Sequence, residues 1–88
     1  TDPYYNSKTH RRFRDECWKN ANGICEECKR QGKLKQLVRG TKDKNRQGVA
    51  DHIIPRDAGG SDIAKENGQL LCNSCHAKKS NKDKKYYT

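Results

Sequence analysis

The sequence predicts a small α+β domain: a helix, a two-stranded hairpin and a closing helix, held by a staple more than by a core. Three observations carry that expectation. Only 30% of the 88 residues are apolar, and a chain so short and polar seldom buries enough surface to hold a fold unaided. Two Cys-x-x-Cys pairs, Cys25/Cys28 and Cys72/Cys75, stand far apart in the chain, where a metal ion or disulfides can join them. Residues 49–80, VADHIIPRDAGGSDIAKENGQLLCNSCHAKKS, carry two strand-like segments separated by turn signals and followed by a helical one. Residues 1–88 read as one domain, with loose ends at 1–6 and 83–88.

Pro3 discourages regular structure before Tyr4 and Tyr5, and Asn6 or Ser7 can cap a helix. Residues 8–21, KTHRRFRDECWKNA, contain no Gly or Pro. Phe13, Cys17 and Ala21 recur at every fourth position with Trp18 beside them, which marks an amphipathic helix with a narrow apolar stripe. Asn22-Gly23 is a stop signal. Cys17 lies on the stripe without an x-x-Cys partner and reads as a small buried hydrophobe. Residues 29–48 read as a basic loop with one short strand or turn around Leu34, Leu37 and Val38. Residues 49–54 read as a strand ended by Pro55. Residues 56–67 form a loop turning at Gly59-Gly60, and residues 68–71 a second strand, antiparallel to the first. Asn73 or Ser74 caps a final helix from about Cys75 to about Lys82.

The formal net charge is +9, the footprint of a polyanion binder. Nucleic acid fits better than a membrane, because no basic helix carries a broad apolar face. Arg11, Arg12 and Arg14 on the first helix, Arg39, Lys42, Lys44 and Arg46 in the loop, and Lys78 and Lys79 ahead of the lysine-rich tail are the candidate phosphate contacts. Such contacts hold a backbone without reading its sequence; a solvated basic surface accounts for the loop charges about as well. No stretch resembles a signal peptide or a membrane span. The expected compartment is therefore the reducing cytoplasm, where paired Cys-x-x-Cys units read as metal ligands. Two residues between cysteines let both thiolates reach one ion from a tight turn. Cys25, Cys28, Cys72 and Cys75 thus form a closed, structural four-sulfur zinc site.

A second constellation carries chemistry. Phosphodiester hydrolysis needs a group to activate water and a cation to neutralise the phosphate. His52 suits the first task, with an ordinary pKa near ~6.5. Adjacent helical residues diverge by ~100°, so Cys75 can face the zinc while His76 faces the first strand. Asp51 and His76 then offer an oxygen and a nitrogen to a second, open ion. That mix suits Mg²⁺, Mn²⁺ or another divalent ion, with waters completing the shell. Asp57 and Asp62 read as solvated loop acids and His10 as a surface residue.

These residues resemble the HNH endonucleases and their ββα-metal active site. The matching positions are Asp51-His52 with Ile53-Ile54-Pro55, Asn67 ahead of the second strand, and Cys72-Asn73-Ser74-Cys75-His76. The lead-in YYNSKTHRRFRDECWKNANGICEEC is similar to the segment before the motif in zinc-containing phage and bacterial members. The resemblance implies a ββα-metal fold with an extra N-terminal helix, His52 as general base, and Asp51 and His76 as ligands of the catalytic ion. Asn67 would fix the loop backbone that orients His52, or would itself join the ligands. The implied reaction is single-metal hydrolysis of DNA, leaving 5′-phosphate and 3′-hydroxyl ends. Some relatives carry a further ligand where this chain has Ser80, so the third ligand stays open between Asn67, Ser80 and water. Likeness to small phage nucleases extends the expectation to host cytoplasm and to terminase and portal proteins as partners in genome packaging. The rival readings are a non-catalytic zinc module that binds nucleic acid, which has no need of Asp51, His52 and His76, and a secreted disulfide protein without zinc.

Overall fold

The computed structural model describes residues 8–83. The cap expected at Asn6 or Ser7 and the loose ends expected at 1–6 and 83–88 lie outside them, apart from Asp83. Helix α1 (Lys8–Ala21) has the expected bounds and buries Phe13 and Cys17. It ends at Asn22 and Gly23, both left-handed at φ 53° and 72°, and the Gly23 amide returns to the Trp18 carbonyl at 3.2 Å. The left-handed φ at Gly23 is what favours glycine at the stop.

A short helix, α2 (Glu26–Arg30), follows where a bare metal knuckle was expected. Cys25 caps it, its sulfur accepting from the Cys28 amide. Glu26 and Glu27 in the first turn and Lys29 and Arg30 in the last complement the helix dipole. Five residues are too few to show a period, which is why the sequence pattern passed over it. The weak apolar centre in the basic loop contributes one isolated bridge, Ile24 with Gln36. There Leu37 is buried while Leu34 faces solvent.

Strands β1 (Gly48–His52) and β2 (Gly68–Cys72) pair antiparallel, with Asp51 opposite Gln69 and His52 opposite Gly68. β1 stops two residues short of its expected end. Ile53 still bonds the Asn67 carbonyl through its amide, but the Ile54 amide is taken by the Asn67 side chain at 2.8 Å. The segment between the strands is more ordered than a plain loop. It holds a 3₁₀ turn (Arg56–Ala58) and a one-turn helix, α3 (Ala64–Asn67). At Gly60 a β-carbon would stand 1.7 Å from the Ile54 carbonyl oxygen, so only glycine lets the loop fold back so tightly.

Helix α4 (Asn73–Asp83) starts directly from β2, two residues earlier than expected. The Asn73 side chain ties the basic loop down, donating to the Lys44 carbonyl and to Gln47. The described residues form two buried apolar clusters. One gathers Leu37, Leu70, Leu71, Cys25 and Cys72 under Trp18 and Ala21; the other packs Phe13, Cys17 and Ala64 against Ala50. No helix among the described residues is long and apolar enough to cross a membrane.

Candidate active site

The four cysteines converge. The cap of α2 brings Cys25 and its first turn Cys28, the end of β2 brings Cys72, and the first turn of α4 brings Cys75. Their sulfurs all lie within 4.8 Å of one another, and Cys28 and Cys75 are 3.7 Å apart. Zinc bound to four thiolates at ~2.3 Å spaces them by ~3.8 Å. The separations therefore fit one tetrahedral ion, and all five cysteines of the chain are free thiols. The Cys25 sulfur also accepts from the Cys72 amide at 3.2 Å. Burial raises the Cys72 thiol, but hydrogen bonds from Cys75 and Cys25 more than offset it and bring it down to about 7. Burial and neighbouring thiols push Cys28 and Cys75 up. Such a cluster reaches the all-thiolate form when a cation supplies the compensating charge. Cys17 is raised to about 12 by its burial, the behaviour of an inert core thiol.

The second centre lies where β1 ends against α4. Alternation along the strand sends Asp51 and His52 to opposite faces. Asp51, 9% exposed, faces α4, with Oδ1 3.7 Å from His76 Nε2. Two bonds of ~2.1 Å span at most ~4.2 Å, so one divalent ion can take both groups. Asp51 Oδ2 accepts from Gln69 Nε2 at 2.9 Å and lies 3.1 Å from Lys79 Nζ. Lys79 also donates to the His52 carbonyl at 2.9 Å.

His52 faces α1. Its ring stacks on Phe13, with centroids 4.0 Å apart and planes 6° from parallel. Its Nε2 lies 3.3 Å from Asp62 Oδ1, and Asp62 is held in turn by Arg56 at 2.8 Å. Burial lowers the His52 pKa below its ordinary value, against the opposing pull of Asp62 and Asp51. A carboxylate beside Nε2 favours the tautomer with its proton there, which leaves Nδ1 able to accept one. Asn67 is buried, and its side chain is spent on backbone: Oδ1 accepts from the Ile54 amide, while Nδ2 donates to the Ile54 and Ser61 carbonyls at 2.9 and 3.0 Å.

The family model of HNH endonucleases matches residues 25–82. The chain belongs to the HNH endonuclease family. No curated protein sequence matches it. Among solved structures, the HNH endonuclease of the deep-sea thermophilic bacteriophage GVE2, crystallised with a manganese ion, is similar. It shares 26% identity with a TM-score of 0.72, and the match covers 98% of this chain and 84% of that one.

The small α+β fold of this HNH family member, with four cysteines placed to hold a metal ion, is the one the sequence predicts. Asp51 and His76 meet where β1 ends against α4, as the four cysteines do at their own site, while His52, the next residue along β1, turns to Phe13 and Asp62. The basic candidates divide. Arg11, Arg12, Arg14, Lys42, Lys44, Arg46 and Lys78 are exposed. Arg39 is drawn onto Asp15 and sits 6.0 Å over the Trp18 ring. Lys79 is only 17% exposed and reaches into the Asp51 site. Three contributors escaped the sequence reading. Phe13 looked like core, Asp62 like a solvated acid, and Gln69 like an ordinary strand residue. Only the hairpin register, hidden behind a long loop, could have placed Gln69 opposite Asp51.

Proposed function

We propose that this HNH endonuclease hydrolyses DNA phosphodiester bonds with one divalent ion, Mg²⁺, Mn²⁺ or a similar metal, at Asp51 and His76, on a fold stapled by zinc at the four cysteines. The observation that carries the reading is the pairing of two unlike environments at one strand end. Asp51 and His76 face each other across 3.7 Å, while the next residue, His52, is clamped between Phe13 and Asp62. A divalent ion held there supplies charge neutralisation to the phosphate and to the departing oxygen.

His52 is the general base. Its Nδ1 takes a proton from water, the water oxygen bonds to phosphorus, and the bond from phosphorus to the 3′ oxygen breaks. The 3′ oxygen leaves as a hydroxyl after gaining a proton from solvent, and the phosphate stays on the 5′ end. Asn67 acts as a positioning residue: its amide holds the Ile54 and Ser61 backbone and with it the loop that carries Asp62. Water supplies the remaining ligands, since the Asn67 side chain is committed to backbone. Exposed Arg11, Arg12, Arg14, Lys42, Lys44, Arg46 and Lys78 grip phosphates, and specificity for sequence is weak. The likeness to a bacteriophage enzyme supports work in a host cytoplasm during genome packaging, beside terminase and portal proteins; co-purification with either protein tests it.

Incubation of supercoiled plasmid with Mg²⁺, Mn²⁺ or Ni²⁺ tests the reaction. Wild type nicks or linearises it, and His52→Ala lowers the rate by about 10²- to 10⁴-fold, the usual contribution of a general base. Equal nicking by both sinks the reading in favour of a zinc module that only binds nucleic acid.

A further inference from the structure

We infer that Gln69, its amide fixed by Arg30, is a positioning residue that makes Asp51 a one-oxygen ligand and couples the divalent-ion site to the helix of the first cysteine knuckle. The inference rests on the reading of Asp51 and His76 as that ion site.

Gln69 stands opposite Asp51 in the ladder and is 6% exposed. A side-chain amide carries one accepting oxygen and one donating nitrogen. Arg30 can only donate, and its Nη2 gives a 2.9 Å bond to Gln69 Oε1. With the oxygen taken, the Gln69 nitrogen faces Asp51 and donates to Oδ2 at 2.9 Å. Arg30 is steadied in turn by Glu27, which accepts from its Nε at 2.9 Å. Arg30 and Glu27 both belong to α2, the helix that Cys25 caps.

The consequence falls on the two Asp51 oxygens. Oδ2 is claimed by Gln69 and Lys79, while Oδ1 faces His76. A carboxylate gripped on one oxygen cannot swing to offer both. It presents Oδ1 at a fixed bearing, the usual work of partners behind metal ligands. If Gln69 were only a satisfied buried amide, Arg30 would be an ordinary surface ion pair with Glu27 and its loss would not reach the ion.

The test measures Mn²⁺ binding to zinc-loaded protein, by calorimetry and by the loss of the free-Mn²⁺ paramagnetic signal, for wild type, Gln69→Leu, Arg30→Met and the double variant. The spectrum of Co²⁺ at the four sulfurs and far-ultraviolet circular dichroism report the fold independently. Gln69→Leu is expected to weaken Mn²⁺ by about 10- to 100-fold. Arg30→Met weakens it by less, and the double variant binds no worse than Gln69→Leu, because Arg30 acts only through Gln69. Wild type that binds Mn²⁺ alongside variants that bind it equally overturns this inference alone, as do additive effects in the double variant. Wild type that binds no Mn²⁺ overturns the ion-site reading beneath it. The Arg30 side chain is 56% exposed, so Arg30→Met folds and decides the matter even where Gln69→Leu does not.

Discussion

Removing the zinc proposed at the four cysteines should unfold the protein, not merely loosen it. Among the described residues, Phe13, Leu37, Leu70 and Leu71 are the large apolar side chains with at most 3% exposure. Burying a side chain of this size is worth ~1.5–3 kcal/mol, so the four together contribute ~6–12 kcal/mol. Structural zinc in small domains binds with ~10–16 kcal/mol, as much as that whole set. A typical net stability of ~5–15 kcal/mol does not survive the loss of such a term. The geometry says which contacts go with it: Cys25 caps α2 and receives the Cys72 amide, so the α1–α2 turn and the β2–α4 junction separate together. The assay is thermal unfolding followed by circular dichroism, on holoprotein, on protein stripped with a strong chelator, and on Cys25→Ser. The holoprotein melts cooperatively, the other two show no transition above 25 °C, and added Zn²⁺ restores it to the stripped sample only. For a domain of this size 1 kcal/mol moves the midpoint by ~4–8 °C. A stripped sample melting within about 5 °C of the holoprotein would assign the metal less than ~1.5 kcal/mol and refute the argument.

Two predictions concern His52. Phe13→Leu keeps the site apolar and, as a partial large-to-small change, should cost about 1–2 kcal/mol of stability, yet it removes the ring stack. Aromatic pairs contribute ~0.5–1.5 kcal/mol, so kcat should fall by about 2- to 12-fold with KM for DNA unchanged; an unaltered kcat would reduce Phe13 to packing. Asp62→Asn removes the charge that opposes the burial-driven lowering of His52. The base form exists above the pKa, so the acid limb of kcat/KM moves to lower pH while the plateau drops as the ring loses its anchor. A limb that stays in place or moves to higher pH contradicts the assignment of Asp62.

What was legible in the sequence follows from how each feature is encoded. α1 reads cleanly because fourteen residues carry a full period and a two-residue stop. The four-sulfur site reads cleanly because two-residue spacing is itself the local geometry. β1 and β2 are visible as strands, but their register depends on a fifteen-residue connection. Its course is set by Gly60 against the Ile54 carbonyl and by the Asn67 amide, neither of which leaves a period. For that reason Asp51, His52 and His76 could be named while the groups that hold them could not. Gln69, Asp62 and Lys79 are polar residues of common types, and only the fold decides which of them faces a carboxylate or an imidazole.

The β2–α4 junction sets the direction of dependence between the two centres. Cys72 is the last residue of β2, α4 begins at the next residue, and Cys75 and His76 share its first turn. Adjacent helical positions differ by ~100°, so once Cys75 is fixed on the four-sulfur site the bearing of His76 toward Asp51 is fixed too. The reverse dependence is weaker, because Asp51 reaches α2, the helix that Cys25 caps, only through the side chains of Gln69 and Arg30. Damage at the cysteines must therefore reach the reaction, whereas damage at Asp51 need not reach the fold. Asp51→Asn, which keeps shape and removes charge, should abolish Mn²⁺ binding and cleavage while the zinc-loaded protein melts within a few degrees of wild type. A large drop in that midpoint would mean that Asp51 and its partners Lys79 and Gln69 hold the fold together, and that the two centres are mutually dependent.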